Sequence, residues 1–176
     1  MDNLLGQFTG NPEKEFHIRK LAKMEKTSPS TVSKYLKYLE KQGILKVRKL
    51  SNHLFYQANE GSDGFRRLKR RMVREAIEQS GILESLQREF NEPEAMILFG
   101  SAAKGEDRPQ SDIDIALITA TKKDIALSVL EKKLGRKLHL FQFSRKDIDD
   151  MKAGNRELLN TLVNGDILSG YWELFR

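Results

Sequence analysis

The sequence predicts an α+β protein in two parts: a group of helices followed by a β-hairpin, and then an α/β domain with a small mixed sheet. Its 176 residues are enough for two small domains. Apolar residues recur at helical spacing before Gly43, and two short β-like runs follow that glycine. From Ala95 onwards, short apolar strands alternate with helical segments. We therefore expect domains over residues 1–62 and 92–176, joined by a helical connector over residues 63–91.

The composition excludes several classes of protein. Hydrophobic residues make up 39% and charged residues 32% of the chain, as in soluble globular proteins. Because the chain has no cysteine, it offers neither disulfides nor thiolate ligands for a metal. Residues 1–10 lack the basic flank and apolar run of a signal peptide, and no apolar stretch is long enough to span a bilayer. We expect a cytoplasmic protein with no membrane partner.

The charge is concentrated in the first half. Residues 1–90 contain 18 Lys or Arg against 11 Asp or Glu, whereas residues 91–176 contain 13 against 14. This asymmetry indicates either a polyanion partner for the first half or a solvated lysine-rich surface. The basic run at residues 66–74 is open to the same two interpretations, because its six cations point around a helix.

The N-terminal part shows the signals of two helices and a hairpin. A short helix is predicted over Phe16–Met24, and a turn follows at Thr27 and Ser28. Ser28 is a good N-cap, and Pro29 suits the first helical position, where its missing N–H is no loss. The apolar residues and β-like runs that predict the second helix and the hairpin are Val32, Leu36, Leu39, Ile44–Leu50 and Leu54–Ala58.

One side of the second helix carries hydroxyl residues near its start and lysines behind them, which suits base edges and backbone phosphates. The stretch IRKLAKMEKTSPSTVSKYLKYLEKQGILKV resembles winged-helix transcriptional regulators. The resemblance implies double-stranded DNA as a partner, a wing formed by the hairpin, and a homodimer that suits palindromic sites. The alternative is a helical domain that is merely soluble or docks onto a protein. The candidate DNA-binding residues are Ser30, Ser33, Lys34, Lys37, Lys41, Arg48 and Lys49.

The second half is predicted to contain strands and helices in alternation. The predicted strands are Ala95–Phe99, Ile113–Ile118 and Leu138–Phe143, and the predicted helices cover residues 62–90 with a break at Gly81, Lys122–Leu134 and Arg156–Val163.

The sharpest pattern in the chain is Gly100-Ser101 followed, after ten residues, by Asp112-Ile113-Asp114. Glycine after a strand lets the backbone come close to a ligand, and a short helix opening at Ser101 would attract phosphate with its free N–H groups. Asp112 and Asp114 are two apart on a strand, so both carboxylates project from one face. Two adjacent carboxylates repel each other unless a cation such as Mg²⁺ lies between them.

The segment LFGSAAKGEDRPQSDIDIAL resembles the minimal type of the nucleotidyltransferase superfamily, and the resemblance covers about residues 93–170. It implies that Gly100 and Ser101 hold the triphosphate of a nucleoside triphosphate. It also implies that Asp112 and Asp114 are catalytic and bind Mg²⁺ or Mn²⁺. Lys104 either assists with the phosphate charge or is a surface residue.

The sequence departs from this family at one position. Active members carry a third carboxylate in a segment like GRKxDL, where this chain has His139. A histidine is a poor Mg²⁺ ligand. His139 could act as a catalytic general base, ligate Mn²⁺ or Zn²⁺, or be an ordinary strand residue in a site that has lost its chemistry.

Three functions follow from these patterns. The first is a DNA-binding transcriptional regulator whose nucleotidyltransferase-like domain senses a nucleotide or a partner. The second is an active enzyme that transfers AMP from ATP to a hydroxyl of a small molecule or of a partner protein, which by resemblance would be a toxin neutralised by this chain. The third is a module that only docks partners. His17 and His53 are interpreted as capping and surface residues.

Overall fold

The computed structural model describes residues 2–175, which form two compact units divided between Lys69 and Arg70. A long helix, α4, spans the division. None of the helices in the described part of the chain is both long and apolar enough to cross a lipid bilayer.

The first unit consists of helices around a three-stranded antiparallel sheet with strand order β1-β3-β2. Its core is formed by large apolar side chains from every helix and from all three strands, among them Phe8, Phe16 and Leu36. The elements in chain order are α1 (Asp2–Gly10), β1 (Phe16–His17), α2 (Ile18–Met24), α3 (Pro29–Lys41), β2 (Leu45–Leu50), β3 (His53–Ala58) and the first turns of α4 (Asp63–Ser80).

Local signals fix most boundaries in this unit. The Ser28 side chain accepts a hydrogen bond from the Thr31 backbone N–H, and Pro29 follows it, so the predicted cap of α3 is confirmed. Ser51 and Asn52 both have positive φ, 44° and 61°, which is the geometry of a tight two-residue hairpin turn. The helix predicted from Phe16 begins instead at Ile18, because Phe16 and His17 pair with β3.

The second unit contains a four-stranded mixed sheet with strand order β6-β5-β4-β7. Strands β5 and β6 are parallel, whereas β4 is antiparallel to both of its neighbours. The elements after α4 are α5 (Ile82–Glu89), β4 (Ala95–Phe99), α6 (Gly100–Lys104), β5 (Ile113–Ile118), α7 (Ser128–Leu134), β6 (Leu138–Phe143), α8 (Arg145–Gly154), α9 (Arg156–Val163) and β7 (Asp166–Gly170). The three strands predicted from the sequence have the predicted bounds.

Helices cover both faces of this sheet. On one face, α4, α5 and α7 contribute Ile77, Leu86 and Leu130 to a core beneath Met96 and Leu98. On the other face, α8 and α9 contribute Ile148, Leu159 and Leu162 to a second core over Ala95, Ile97, Ala116 and Ile118. Residues 77–90, within the segment predicted as a connector, thus bury side chains in the core of the second unit.

The helix predicted over Lys122–Leu134 is wrong in its first half, since α7 begins only at Ser128. The Gln142 side chain of β6 explains the difference. Its amide donates to the Lys123 carbonyl and its oxygen accepts from the Lys123 N–H, both at 2.8 Å. These tertiary bonds hold the backbone of Lys123 beside the strand and replace the helical ones.

Most of the basic residues of α4 are paired with acids inside their own unit. The pairs are Arg66–Asp63, Arg70–Asp166, Arg71–Glu75 and Arg74–Glu78, with N···O distances of 2.5, 2.5, 3.6 and 2.9 Å. Arg74 also donates to the Ile167 carbonyl of β7. Arg70 and Arg74 therefore link α4 to β7, whereas the Arg66 and Arg71 pairs lie within α4.

Replacing Asp147 by Asn is expected to lower the melting temperature at pH 7. The Lys122 ammonium and the bonds from Ser144 hold the pKa of the Asp147 carboxyl far below its usual range. Because folding lowers the pKa of Asp147, the ionised carboxylate stabilises the folded state at pH values above about 4, the pKa of this carboxyl in the unfolded chain. This stabilisation is lost as the pH falls below that value. Thermal unfolding should therefore show a difference in melting temperature between the variant and the parent protein, and this difference should become smaller as the pH falls below about 4. Asp150→Asn, an exposed site on α8, is the matched control and should show no such gap.

Candidate functional site

The chain turns sharply from β4 into α6 at Gly100, where φ is +71°. A Cβ atom at this position would lie 2.5 Å from Oδ2 of Asp114, closer than two such atoms can approach. Phe99 pairs with Asp114 across β4 and β5, which brings the carboxylate against the turn. The glycine-serine turn and the second aspartate of the motif therefore lie side by side, and only glycine fits between them.

Asp112 and Asp114 approach the same imidazole. His139 pairs with Asp114 in the parallel ladder of β5 and β6. Its Nδ1 lies 3.3 Å from Oδ1 of Asp114, and its Nε2 lies 3.5 Å from Oδ2 of Asp112. The side chains of Asp112, Asp114 and His139 are 37%, 27% and 53% exposed, so a ligand can reach all three. The structure thus brings together the two predicted carboxylates and the histidine in the third position.

A buried ion pair that the sequence did not reveal holds the loops of this site together. Arg136 pairs with Asp107 at 2.8 Å, and these side chains are only 15% and 4% exposed. Arg136 also donates from Nε to the Ser111 carbonyl at 2.8 Å. Because Ser111 precedes Asp112 and Arg136 lies three residues before His139, the pair links the segments that carry both sides of the site.

Aromatic side chains lie next to His139 on the same face of β6. Phe141 makes edge-to-face contacts with His139 and with Phe99, at centroid distances of 6.5 and 5.2 Å. Phe141 remains 38% exposed. The period-two alternation of a strand could have predicted this neighbour from the sequence, since residues 139 and 141 share a face.

The donor atoms fit a single hard divalent cation. Mg²⁺ is commonly held by one or two carboxylates together with substrate phosphates, and Asp112 and Asp114 offer such a pair. Within residues 2–175, no cluster of three or more His, Cys, Asp or Glu side chains has the arrangement of a metal site. By its chemistry, the pair of aspartates fits a divalent ion that takes its remaining ligands from phosphate oxygens.

The comparison with known families settles the class of this second unit. The sequence profile of the family described as "Polymerase beta, Nucleotidyltransferase" matches residues 81–168, which is half of the chain. The chain belongs to this nucleotidyltransferase family. The family uses divalent metal ions, and a nucleotidyltransferase domain implies a nucleotide as substrate. No curated protein matches the chain closely enough in sequence to refine this assignment.

The matched part of the chain runs from just before α5 into β7 and includes all of β4, β5 and β6 and the first three residues of β7. Ser101 is half-buried in the first turn of α6. Lys104, at the last position of that helix, is exposed and forms no ion pair within the described residues. Its ammonium group is therefore available to an anion.

In the N-terminal unit of the chain, most of the residues predicted to contact DNA are accessible. The lysines Lys34, Lys37 and Lys41 of α3 and Lys49 of β2 are exposed, and none of them forms an ion pair in the part of the chain that the structure describes. Ser30 is exposed and contacts the Ser28 hydroxyl at 2.8 Å, whereas Ser33 is half-buried.

Arg48 differs from the other candidates because its guanidinium is occupied. It donates to both carboxylate oxygens of Glu15, at 2.9 and 2.7 Å, and lies over the Phe55 ring. The hydrogen bond from Arg48 lowers the pKa of Glu15. His17 caps α2, since its Nδ1 accepts from the Arg19 N–H at 3.3 Å, and His53 is exposed beside it, so the structural interpretation of both histidines is confirmed.

Proposed function

We propose that this protein is a DNA-binding regulator whose nucleotidyltransferase domain binds a nucleoside triphosphate with Mg²⁺ and acts as a nucleotide sensor. The observation that carries the nucleotide part is the contact between Gly100 and Asp114, with Asp112 and His139 at the same place.

The site offers each part that a nucleotide needs. Gly100 and Ser101 would receive phosphate oxygens, and Lys104 would neutralise part of their charge. Asp112 and Asp114 would hold Mg²⁺, which when bound polarises the phosphate oxygens that it shares with them. A triphosphate placed here would therefore be bound by the backbone of the glycine-serine turn, by the Lys104 ammonium group and by the Mg²⁺ ion held between it and the two aspartates.

The DNA part of the proposal depends on the N-terminal unit. The element order α1-β1-α2-α3-β2-β3, with a tight hairpin last, is that expected of a winged helix-turn-helix. In this proposal α3 is the DNA-contacting helix and the β2–β3 hairpin is the wing. The unpaired lysines along α3 and in β2 would bind phosphates, and a homodimer would match two half-sites.

His139 is the reason to prefer sensing to catalysis. In the third acidic position of the family it offers an imidazole, which is neutral or positive and binds Mg²⁺ poorly. A two-metal mechanism loses part of its electrostatic clamp without that carboxylate. Nucleotide binding can survive this change, because it needs only the turn and the two aspartates.

Calorimetric titration with ATP and with CTP, each with Mg²⁺, tests the nucleotide part. The nucleotide part is supported if the parent protein binds one of the two nucleotides and if Asp112→Ala and Asp114→Ala each abolish that binding. It is refuted if the parent protein shows no heat of binding with either nucleotide. Gel-shift titration with genomic fragments at two salt concentrations, with and without the nucleotide, tests the DNA part. Absence of any shift at low salt would refute that part alone.

Glu15→Gln is expected to strengthen DNA binding at low salt. The substitution removes the carboxylate that occupies the Arg48 guanidinium, so Arg48 becomes free for a phosphate. One additional phosphate contact should steepen the slope of log K against log salt by about 1. Glu13→Gln is the control, since it removes the same charge at an exposed position that lacks an ion pair in the described residues. Equal slopes for both variants would contradict the role of Arg48.

Transfer of AMP to a hydroxyl is the second candidate, and the proximity of the His139 ring to both aspartates favours it. In this reaction the acceptor oxygen forms a bond to the α-phosphorus of ATP, pyrophosphate leaves, and the acceptor proton passes to a base. A ring nitrogen of His139 could take that proton. The acceptor would be a small molecule or a partner protein such as a toxin.

His139→Asp should raise the rate of AMP transfer if the missing carboxylate limits it. The expected gain in rate is roughly a hundredfold, which is the usual effect of one well-placed electrostatic group. Incubation with α-labelled ATP, Mg²⁺ or Mn²⁺ and candidate acceptors measures it, with His139→Asn as the uncharged control. Labelling that survives Asp112→Ala and Asp114→Ala would show that this site is not responsible.

A further inference from the structure

A cavity of about 310 Å³ opens beside Gly100, between α6 and α9. Its volume is at the low end for small-molecule sites, which suits a sugar-sized group. Gly100 and Lys104 line one side, and Glu157, Asn160 and Thr161 of α9 line the other. The cavity thus begins at the turn to which the proposed function assigns the triphosphate.

The two sides of the cavity have opposite chemistry. Lys104 presents an ammonium group, whereas Glu157 presents a carboxylate, and neither forms an ion pair among the described residues. A carboxylate repels phosphate, so the α9 side does not suit the triphosphate itself. A ligand in this cavity would therefore have its anionic end towards α6 and an uncharged polar end towards α9.

The polar groups of α9 suit hydroxyls. Residues 157, 160, 161 and 164 recur at helical spacing and form one stripe that faces the cavity. The Thr161 hydroxyl donates to the Glu157 carbonyl at 3.0 Å, so its oxygen remains free to accept. Glu157 accepts from hydroxyls, and the Asn160 amide can donate and accept. This combination of donors and acceptors matches a vicinal diol.

A nucleobase fits this cavity less well. Bases are bound mainly by stacking on aromatic or planar side chains. Among the described residues that line the cavity none is aromatic. The ribose is joined covalently to the phosphates, so a triphosphate at Gly100 brings the sugar within reach of α9.

We infer that this cavity receives the ribose of the bound nucleotide and that Glu157 and Asn160 select ribonucleotides by hydrogen bonding to the 2′- and 3′-hydroxyls. The inference rests on the proposed nucleotide binding and adds the class of nucleotide. A site built to hydrogen-bond a hydroxyl discriminates against the analogue that lacks it, because its own polar groups are then left unpaired.

Calorimetry on the full chain with Mg²⁺ tests the inference, using ATP, 2′-deoxyATP, 3′-deoxyATP and inorganic triphosphate as ligands. The parent protein should bind ATP roughly tenfold more tightly than at least one deoxynucleotide, the value of about one hydrogen bond. Asn160→Ala and Glu157→Ala, which remove the hydrogen-bonding groups, should each reduce this discrimination without weakening triphosphate binding. Gln79→Ala, which deletes an exposed amide on α4, is the control and should keep the discrimination.

The outcomes separate the two proposals. Equal affinity of the parent protein for ATP and both deoxynucleotides would overturn the ribose assignment while nucleotide binding stands. Discrimination that survives both α9 substitutions would also overturn it. If neither ATP, CTP nor triphosphate binds, the nucleotide site itself fails and the ribose assignment fails with it.

Discussion

Gly100→Ala is expected to weaken the binding of Mg²⁺-ATP by at least about a hundredfold, because a displacement of about 1 Å in a positioned group is enough for such a loss. The added methyl would lie 2.5 Å from Oδ2 of Asp114. Either the aspartate or the turn must therefore move, and both belong to the proposed site. The positive φ adds about 1–2 kcal/mol of strain for any L-residue with a side chain.

Calorimetry with ATP and Mg²⁺ measures this effect, and far-ultraviolet circular dichroism checks that the variant is folded. Gly154→Ala is the matched control, since a Cβ there meets nothing within 4 Å. A folded Gly100→Ala variant that binds ATP as tightly as the parent would remove Asp114 and the turn from the nucleotide site.

Asp107→Ala should lower the free energy of unfolding by about 3–5 kcal/mol, the usual cost of breaking a buried ion pair by removing one partner. The substitution would leave the Arg136 guanidinium, which is only 15% exposed, without its carboxylate partner. Stabilities of domains lie at about 5–15 kcal/mol, so the loss is a large share of the total. The loops before Asp112 and His139 should loosen with it.

Urea denaturation of the variant measures this loss. Glu106→Ala is the control, because that neighbouring acid is exposed and forms no ion pair in the described residues. The double substitution Asp107→Leu with Arg136→Met should recover much of the stability, since apolar replacements of buried pairs are often neutral. A loss below about 1 kcal/mol for Asp107→Ala would contradict the structural role of the pair.

Three of the four strands of the second unit, β4, β5 and β6, were predictable because each is a short, largely apolar run between polar segments, whereas β7 has the mixed sequence DILSG and was not predicted as a strand. The two aspartates were predictable too, because strand alternation alone places residues 112 and 114 on one face. The glycine-serine turn was predictable because its glycine and serine directly follow the predicted strand Ala95–Phe99. For these features the information lies within a few consecutive residues.

The features that sequence reasoning missed depend on contacts between distant segments. Asp107 and Arg136 are 29 residues apart, and no periodicity connects them. The backbone of Lys123 is held by Gln142 from β6, so a segment with helical composition is not helical. Strand β1 has only two residues and exists because β3 pairs with it. Such elements are set by tertiary pairing, which overrides local propensity.

The ion pairs along α4 change how the formal charge of this chain should be counted. Four arginines of that helix already have acidic partners within a few ångströms, so a duplex would find little unbalanced charge there. Of the described residues predicted to contact DNA, the lysines without an ion pair are Lys34, Lys37 and Lys41 of α3 and Lys49 of β2. A duplex held through these four lysines would release about four counterions to bulk solvent, so its affinity should still fall steeply, by roughly a hundredfold for a fourfold rise in salt concentration.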